Sequence, residues 1–151
     1  NPNNGAAPMN YALATAYAVI LLYLCYTDLR DGRVPNRVVL PAAGAALLEA
    51  VLLDTWRSDV LGGMVAATLF FTPMLIYGPE KAGAGDVKLA LFLGLWLGYP
   101  TIIGAILVGA LAISALALVS WLRGTFNRKA TVPMAPSLAL GTIAMLALHI
   151  V

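Results

Sequence analysis

Two aspartates beside long apolar runs are the residues in this sequence best suited to chemistry. Asp28 follows one apolar run and Asp86 precedes another. An ionisable side chain costs roughly 2.5–3.5 kcal/mol at the centre of a membrane helix and less near the interface, so its presence there indicates a function. Two carboxyl groups, one protonated and one ionised, form the catalytic unit of aspartic peptidases. The simpler interpretation is that each aspartate only marks the end of a helix in water.

The local positions of the two acids differ. Asp28 is predicted at the C-terminal end of a helix, where the helix dipole disfavours a carboxylate, whereas Asp86 is predicted at the start of a helix, where free N–H groups favour one. If the side chains meet, Asp28 is therefore expected to hold a proton, and Asp86 to take one from water. A close pair titrates as a unit, so this is a bias and not a fixed assignment.

The composition indicates a membrane protein. Of 151 residues, 61% are hydrophobic and 11% are charged, with a mean hydropathy of +0.87. Soluble domains average roughly 45–50% apolar and about 25% charged residues. At about 20 residues per crossing, the length fits an all-α, compact bundle of about six transmembrane helices. We expect one membrane-embedded domain over residues 9–151, with residues 1–8 disordered or foreign to the natural chain.

Basic residues predict the orientation. All of the nine lysines and arginines except Arg57 lie in, or just beyond, the connections that follow the first, third and fifth apolar runs. Cytoplasmic loops retain such residues, so both termini are predicted outside the cytoplasm and both aspartates near the cytoplasmic face of the inner membrane. The six apolar runs cover residues 9–26, 38–53, 60–77, 87–97, 101–122 and 133–151.

Small and polar residues flank each aspartate. Gly83 and Gly85 lack a Cβ and would let an extended substrate backbone approach Asp86, although two glycines also suit a simple turn before a helix. Pro35 and Asn36 are predicted to have structural roles. Proline stiffens the chain here, and the Asn36 side chain is expected to cap a helix that starts at the next residue.

Two charged neighbours need separate interpretations. Lys88 lies two positions after Asp86, about 200° around a helix, so it should point away from that carboxylate and either snorkel or pair with a loop. Asp31 could share a helical face with Asp28 and form a rival pair. Asp86 is the preferred partner because an i,i+3 pair has no reason to face a substrate groove. Asp31 is instead a candidate for attracting a basic substrate segment.

Other functional classes lack support in the sequence. With a single cysteine, Cys25, and a single histidine, His149, we expect no metal site and no organic cofactor. The sequence has no basic stripe, so nucleic acid is not an expected partner. Gly94 and Gly98 lie on one predicted helical face, where they favour close helix packing, by default within the chain.

The combination of motifs resembles the type IV prepilin peptidase family, which are membrane aspartic peptidases with a GxGD motif. The matching segments are residues 28–36 (DLRDGRVPN), 83–89 (GAGDVKL) and 132–136 (VPMAP), and the resemblance covers the chain from about Tyr17. It implies that Asp28 and Asp86 are the catalytic pair.

The same resemblance implies a substrate. It would be a prepilin or pseudopilin, cut at the cytoplasmic face of the lipid bilayer, between its basic leader and its apolar N-terminal helix. Larger family members have an additional N-terminal region, often with paired cysteines, and methylate the new amino terminus. This chain resembles the short, single-domain form, and methyltransferase activity is not expected.

Two alternatives stay open at this stage. A different GxGD protease, cutting within transmembrane helices, would share the chemistry of the two aspartates. A small transporter or assembly subunit would instead use them to relay protons or to pair with arginines.

Overall fold

Six helices form nearly all of the described chain. The structure is a computed structural model, and it describes residues 11–78, 84–124 and 134–150. No strand occurs in these ranges, so the predicted all-α class and the number of helices are confirmed. The helices are α1 (Tyr11–Asp31), α2 (Asn36–Leu52), α3 (Trp56–Tyr77), α4 (Ala84–Leu97), α5 (Thr101–Leu122) and α6 (Ala135–Ile150).

Three helices are long and apolar enough to cross a membrane. They are α1, α3 and α5, with apolar stretches of 20, 21 and 22 residues. The outward face of α5 exposes Leu107, Leu111 and Leu116, and an apolar surface of this kind is stable in hydrocarbon and unfavourable in water. The chain is therefore a helical membrane protein. The remaining helices have 14–17 residues, and α4 is as short as its apolar run predicts.

The helix α1 extends beyond its apolar run. It continues through Asp31, and Gly32, in a left-handed conformation with φ 60°, donates its N–H to the Asp28 carbonyl at 2.9 Å. A glycine in this conformation is a common way to end a helix. As a result, Asp28 lies inside the last turns of α1, where its side chain faces the neighbouring helices.

Glycines bring α3 and α4 into backbone contact. A Cβ added at Gly94 would lie 2.5 Å from the Gly62 carbonyl oxygen and 2.6 Å from the Gly63 Cα, so neither helix could approach this closely with larger residues. The predicted packing role of Gly94 within the chain is confirmed. Gly98 instead follows the end of α4, where its N–H donates to the Gly94 carbonyl at 3.0 Å.

The connections alternate between the two ends of the bundle. At one end, Ser58 of α3 and Tyr99 of the α4–α5 connection exchange two hydrogen bonds, at 3.0 Å between the Tyr99 N–H and the Ser58 carbonyl and at 2.9 Å between the Ser58 hydroxyl and the Tyr99 carbonyl. The other end contains the last turns of α1 and the first turns of α2, α4 and α6. We call it the aspartate end, because Asp28 and Asp86 lie there.

Candidate active site

Asp28 is buried within the helical bundle. Its side chain is 8% exposed, and Leu24 and Cys25, one turn earlier in α1, are buried as well. One carboxyl oxygen, Oδ2, accepts a hydrogen bond of 3.1 Å from the backbone N–H of Ala135. Ala135 is the first residue of α6 and is fully buried. The last helix of the chain therefore begins directly at Asp28.

Asp86 and Asp28 come from different helices and lie at the same end of the bundle, with Asp86 within range of the Asp28 charge. Asp86 is the third residue of α4, outside the three membrane-spanning helices, and its side chain is half-buried. Burial, and secondly the charge of Asp28, raise the pKa of Asp86 to about 6. The charge of Asp28 therefore acts on Asp86 from a different helix, as expected for two side chains that face a common region.

This upward shift corrects one expectation. The start of α4 was expected to favour the ionised form of Asp86. Burial and the neighbouring carboxylate outweigh the helix start, so the pKa of Asp86 moves up and not down. Within the described residues, Asp28 has a backbone donor, whereas no hydrogen bond reaches the Asp86 side chain.

An aromatic cluster sets the separation of α1 and α4. The ring of Tyr17 meets the rings of Phe92 and Trp96 edge-on, with centroids 5.7 Å and 5.4 Å apart. Edge-to-face contacts of this kind hold aromatic side chains in defined relative positions. These ring contacts hold α1 and α4 at a defined separation, at a level of the bundle that is distant from the two aspartates.

The segment between α1 and α2 packs against the start of α4. A Cβ added at Gly85 would lie 3.1 Å from the Cβ of Val34, and Val34 is itself buried. The absent side chain of Gly85 therefore accommodates Val34 in this structure. A role of Gly85 in admitting a substrate backbone stays a prediction, and Gly83 lies outside the described residues.

The side chain of Asn36 does not cap α2, so that expectation is wrong. The helix begins at Asn36 itself, with Pro35 at the N-cap position and no side-chain capping bond. The Asn36 Oδ1 instead accepts a hydrogen bond of 2.8 Å from the Lys88 Nζ. Asn36 therefore bonds to the Lys88 ammonium of α4 and not to the backbone of its own helix. This bond joins the first turns of α4 to the start of α2.

Asp31 lies in a different environment from Asp28. Its side chain is 60% exposed and lies 3.8 Å from the guanidinium of Arg30, whereas Asp28 is buried. Asp86, unlike Asp31, is half-buried and senses the Asp28 charge. A contribution of Asp31 to substrate attraction stays a prediction.

The contribution of α6 to this site was not predicted from the sequence. The donor to Asp28 is the backbone of Ala135, and no residue type identifies a backbone donor. The only signal was that residues 132–136 form one of the motifs of the suggested family. Within the described ranges, no group of three or more histidine, cysteine, aspartate or glutamate side chains is arranged to hold a metal ion.

A helical membrane bundle with two acids from separate helices at one end defines the general class of this protein. Its family follows from comparison with known sequences: the profile of the type IV leader peptidase family matches residues 15–118. The chain belongs to this family.

Individual relatives agree with this assignment. The chain is 32% identical over 150 residues to the prepilin leader peptidase/N-methyltransferase of Burkholderia pseudomallei (strain 1026b), a match covering 95% of this chain and 47% of the relative. With the protein of the same name from Aeromonas hydrophila it shares 28% identity over 134 residues, 84% of this chain and 46% of the relative. The chain thus spans about half the length of these relatives. No solved structure matches the chain.

Proposed function

We propose that this protein is a membrane aspartic endopeptidase that removes the leader peptide of prepilin-like proteins, with Asp28 and Asp86 as its catalytic residues. The observation that carries the proposal is that these two acids, one buried in α1 and the other half-buried in α4, lie at the same end of the bundle with Asp86 in range of the Asp28 charge. Family membership supports the same conclusion, because the matched relatives are named as prepilin leader peptidases.

The chemistry needs only the two carboxyl groups and a water molecule. One carboxylate takes a proton from water as its oxygen attacks the scissile carbonyl carbon, and the other carboxyl group donates a proton to the carbonyl oxygen. These groups supply every proton transfer of the hydrolysis, so the proposed mechanism uses no metal and no organic cofactor.

The substrate is proposed to be a prepilin or pseudopilin in the lipid bilayer. It must be unwound at the cleavage point, because a peptide bond inside a helix has its N–H and C=O engaged and is sheltered from attack. A basic leader on one side and an apolar helix on the other would place that point at the membrane surface. Acidic side chains at the aspartate end, including the exposed Asp31, support attraction of a basic leader.

The active site is proposed to face the cytoplasm from the inner membrane. Arg30, Arg33 and Arg37 lie in or beside the α1–α2 connection, which is at the same end of the bundle as both aspartates. Cytoplasmic loops retain basic residues. Since the connections alternate between the ends, this orientation places both termini on the non-cytoplasmic side.

The test is cleavage of a purified prepilin by the full chain in lipid vesicles, followed by mass spectrometry of the products. Asp28→Asn and Asp86→Asn should each lower the rate by roughly 10²–10⁴-fold, since each removes a general acid or base. Asp54→Asn is the matched control, because Asp54 is exposed on the α2–α3 connection with φ 57°, a conformation that asparagine adopts readily. We expect this control to cleave at the wild-type rate.

Several results would overturn the proposal. Wild-type cleavage by either active-site variant would exclude the aspartate pair as the catalyst. Cutting of unrelated transmembrane peptides but not of prepilins would indicate a different GxGD protease. Solute uptake without any cleavage would indicate a transporter.

A further inference from the structure

The two aspartates receive unequal support from their surroundings. The Asp28 carboxyl accepts the Ala135 N–H at 3.1 Å. This donor is the first N–H of α6, a helix of 16 residues, so Asp28 also lies at the partially positive end of a helix dipole. A hydrogen bond donated by a backbone N–H favours the charged form of a carboxyl group. Both effects favour a carboxylate at Asp28.

Asp86 is in the opposite situation. Its side chain is half-buried, and no donor from the described residues reaches it. The nearby Asp28 carboxylate disfavours a second negative charge, and burial adds to this, so the pKa of Asp86 lies at about 6. The N-terminal end of α4 favours the ionised form of Asp86, but burial and the Asp28 charge outweigh this effect.

Among the described residues, other charged groups at this end do not reverse the difference: Arg33 and Arg37 are exposed. Cys25 of α1 lies within range of the Asp28 charge and is neutral as a thiol. The Lys88 ammonium is bound to Asn36, and Asp31 is exposed beside its own arginine. The helix α6 contains no aspartate, glutamate, lysine or arginine.

We propose that the start of α6 holds Asp28 in the ionised form through the Ala135 amide, so that Asp28 is the base and Asp86 is the acid. Ala135 is then a positioning residue that acts through its backbone. This assignment rests on the proposed peptidase function and deepens it. It is also the reverse of the order that the helix ends alone predict.

The resulting reaction is balanced. The Asp28 carboxylate takes a proton from water, the water oxygen bonds to the carbonyl carbon, and the Asp86 proton goes to the carbonyl oxygen, which gives a neutral gem-diol. The C–N bond then breaks, the Asp28 proton goes to the leaving nitrogen, and one gem-diol hydroxyl returns its proton to Asp86. Both acids end in the states in which they began.

A titration of the resting protein tests the assignment directly. The full chain, labelled with carbon-13 at its aspartate carboxyl groups, is titrated by NMR in lipid nanodiscs, and Asp28→Asn and Asp86→Asn identify the two signals. We expect the Asp86 carboxyl to titrate near pH 6. If Asp28 is the last of the two to lose its proton, the assignment is wrong.

Removal of the α6 donor is the second measurement. Ala135→Pro deletes the N–H at the first position of a helix, where proline is tolerated best, and Ala135→Ser is the control that keeps the N–H. We expect a roughly ten- to hundredfold fall in kcat and an acidic limb of the pH–rate profile that moves up by about one pH unit or more. The serine variant should keep its acidic limb at the wild-type pH.

The outcomes separate this inference from the proposed function. A loss of rate at every pH with an unmoved acidic limb would give Ala135 a structural role only, and would overturn its effect on Asp28. The NMR titration requires no activity, so it decides the assignment even if Ala135→Pro does not fold. If the wild-type chain fails to cleave prepilins, the proposed function fails, whichever acid titrates first.

Discussion

The Lys88 Nζ donates a hydrogen bond of 2.8 Å to the Oδ1 of Asn36, across a sequence separation of 52 residues. Lys88 lies two residues after Asp86 in the first turns of α4, and Asn36 is the first residue of α2. The bond therefore fixes the part of α4 that presents Asp86. The Lys88 ammonium is thus engaged by Asn36. Its role is to hold the start of α4 in place.

Loss of this bond should slow cleavage without abolishing it. Lys88→Met and Asn36→Ala each remove one partner, and because the bond is exposed we expect each to lower kcat only by roughly two- to tenfold. The measurement is a double-mutant cycle on cleavage rate: the double variant should be no slower than the slower single variant. Fully additive losses would show that the two residues act independently.

The contact between Gly85 and Val34 should be sensitive to a single methyl group. Gly85→Ala places a Cβ 3.1 Å from the Val34 Cβ, so the start of α4 or the α1–α2 connection must shift, and Asp86 shifts with it. We expect reduced cleavage in Gly85→Ala and partial recovery in Gly85→Ala/Val34→Gly, which removes the Val34 Cβ and Cγ2 atoms that the new methyl group would meet at 3.1 and 3.3 Å. If the second substitution restores no activity, Gly85 serves the substrate and not this packing contact.

The backbone contact of α3 with α4 should control the stability of the bundle. Gly94→Val would place side-chain atoms within the Gly62–Gly63 backbone, and we expect the free energy of unfolding to fall by about 1–3 kcal/mol or more. Gly44→Val is the control, because no atom lies within 4 Å of a Cβ added at this α2 glycine. Denaturation in mixed micelles measures both, and equal losses would contradict the packing explanation.

The raised pKa of Asp86 predicts a pH dependence. Because the protonated form is the acid, kcat/KM should fall as the pH rises through about 6, with the limb reporting the free enzyme. Stability should change in the same direction. A carboxyl group whose pKa is higher in the folded state stabilises the fold at low pH, and this contribution is lost as the pH rises towards about 6. Asp86→Asn should lack this loss, and a kcat/KM that is constant through this pH would contradict the prediction.

The sequence was sufficient to predict the all-α class and the number of helices, and it identified two acids as candidates for a catalytic pair. A long apolar run in a membrane must satisfy its backbone hydrogen bonds internally, so it is expected to form a helix. The first apolar run ends at residue 26, whereas α1 continues to Asp31, because polar residues end a hydropathic pattern without ending a helix. Asp28 and Asp86 were identifiable because few residue types are as costly at such positions.

The contacts that organise the aspartate end could not be predicted in the same way. Asparagine is a common helix N-cap residue, and only the three-dimensional structure shows that the Asn36 side chain accepts a hydrogen bond from Lys88. The donor at Ala135 is a backbone group, which every residue but proline possesses. The protonation order of the aspartates was predicted from their own helix ends alone, and the sequence did not indicate that the N–H of a third helix reaches Asp28.

The bond from Ala135 to Asp28 spans 107 residues, which has a consequence for biogenesis. A ribosome makes α1 long before α6, so the newly inserted first helix lacks its donor until the last helix has entered the bilayer. Until then, the Asp28 carboxyl has to remain hydrated at the membrane surface or accept a proton. Completion of the aspartate end is therefore tied to insertion of the last helix, because the Asp28 carboxyl gains its backbone donor only when α6 is in place.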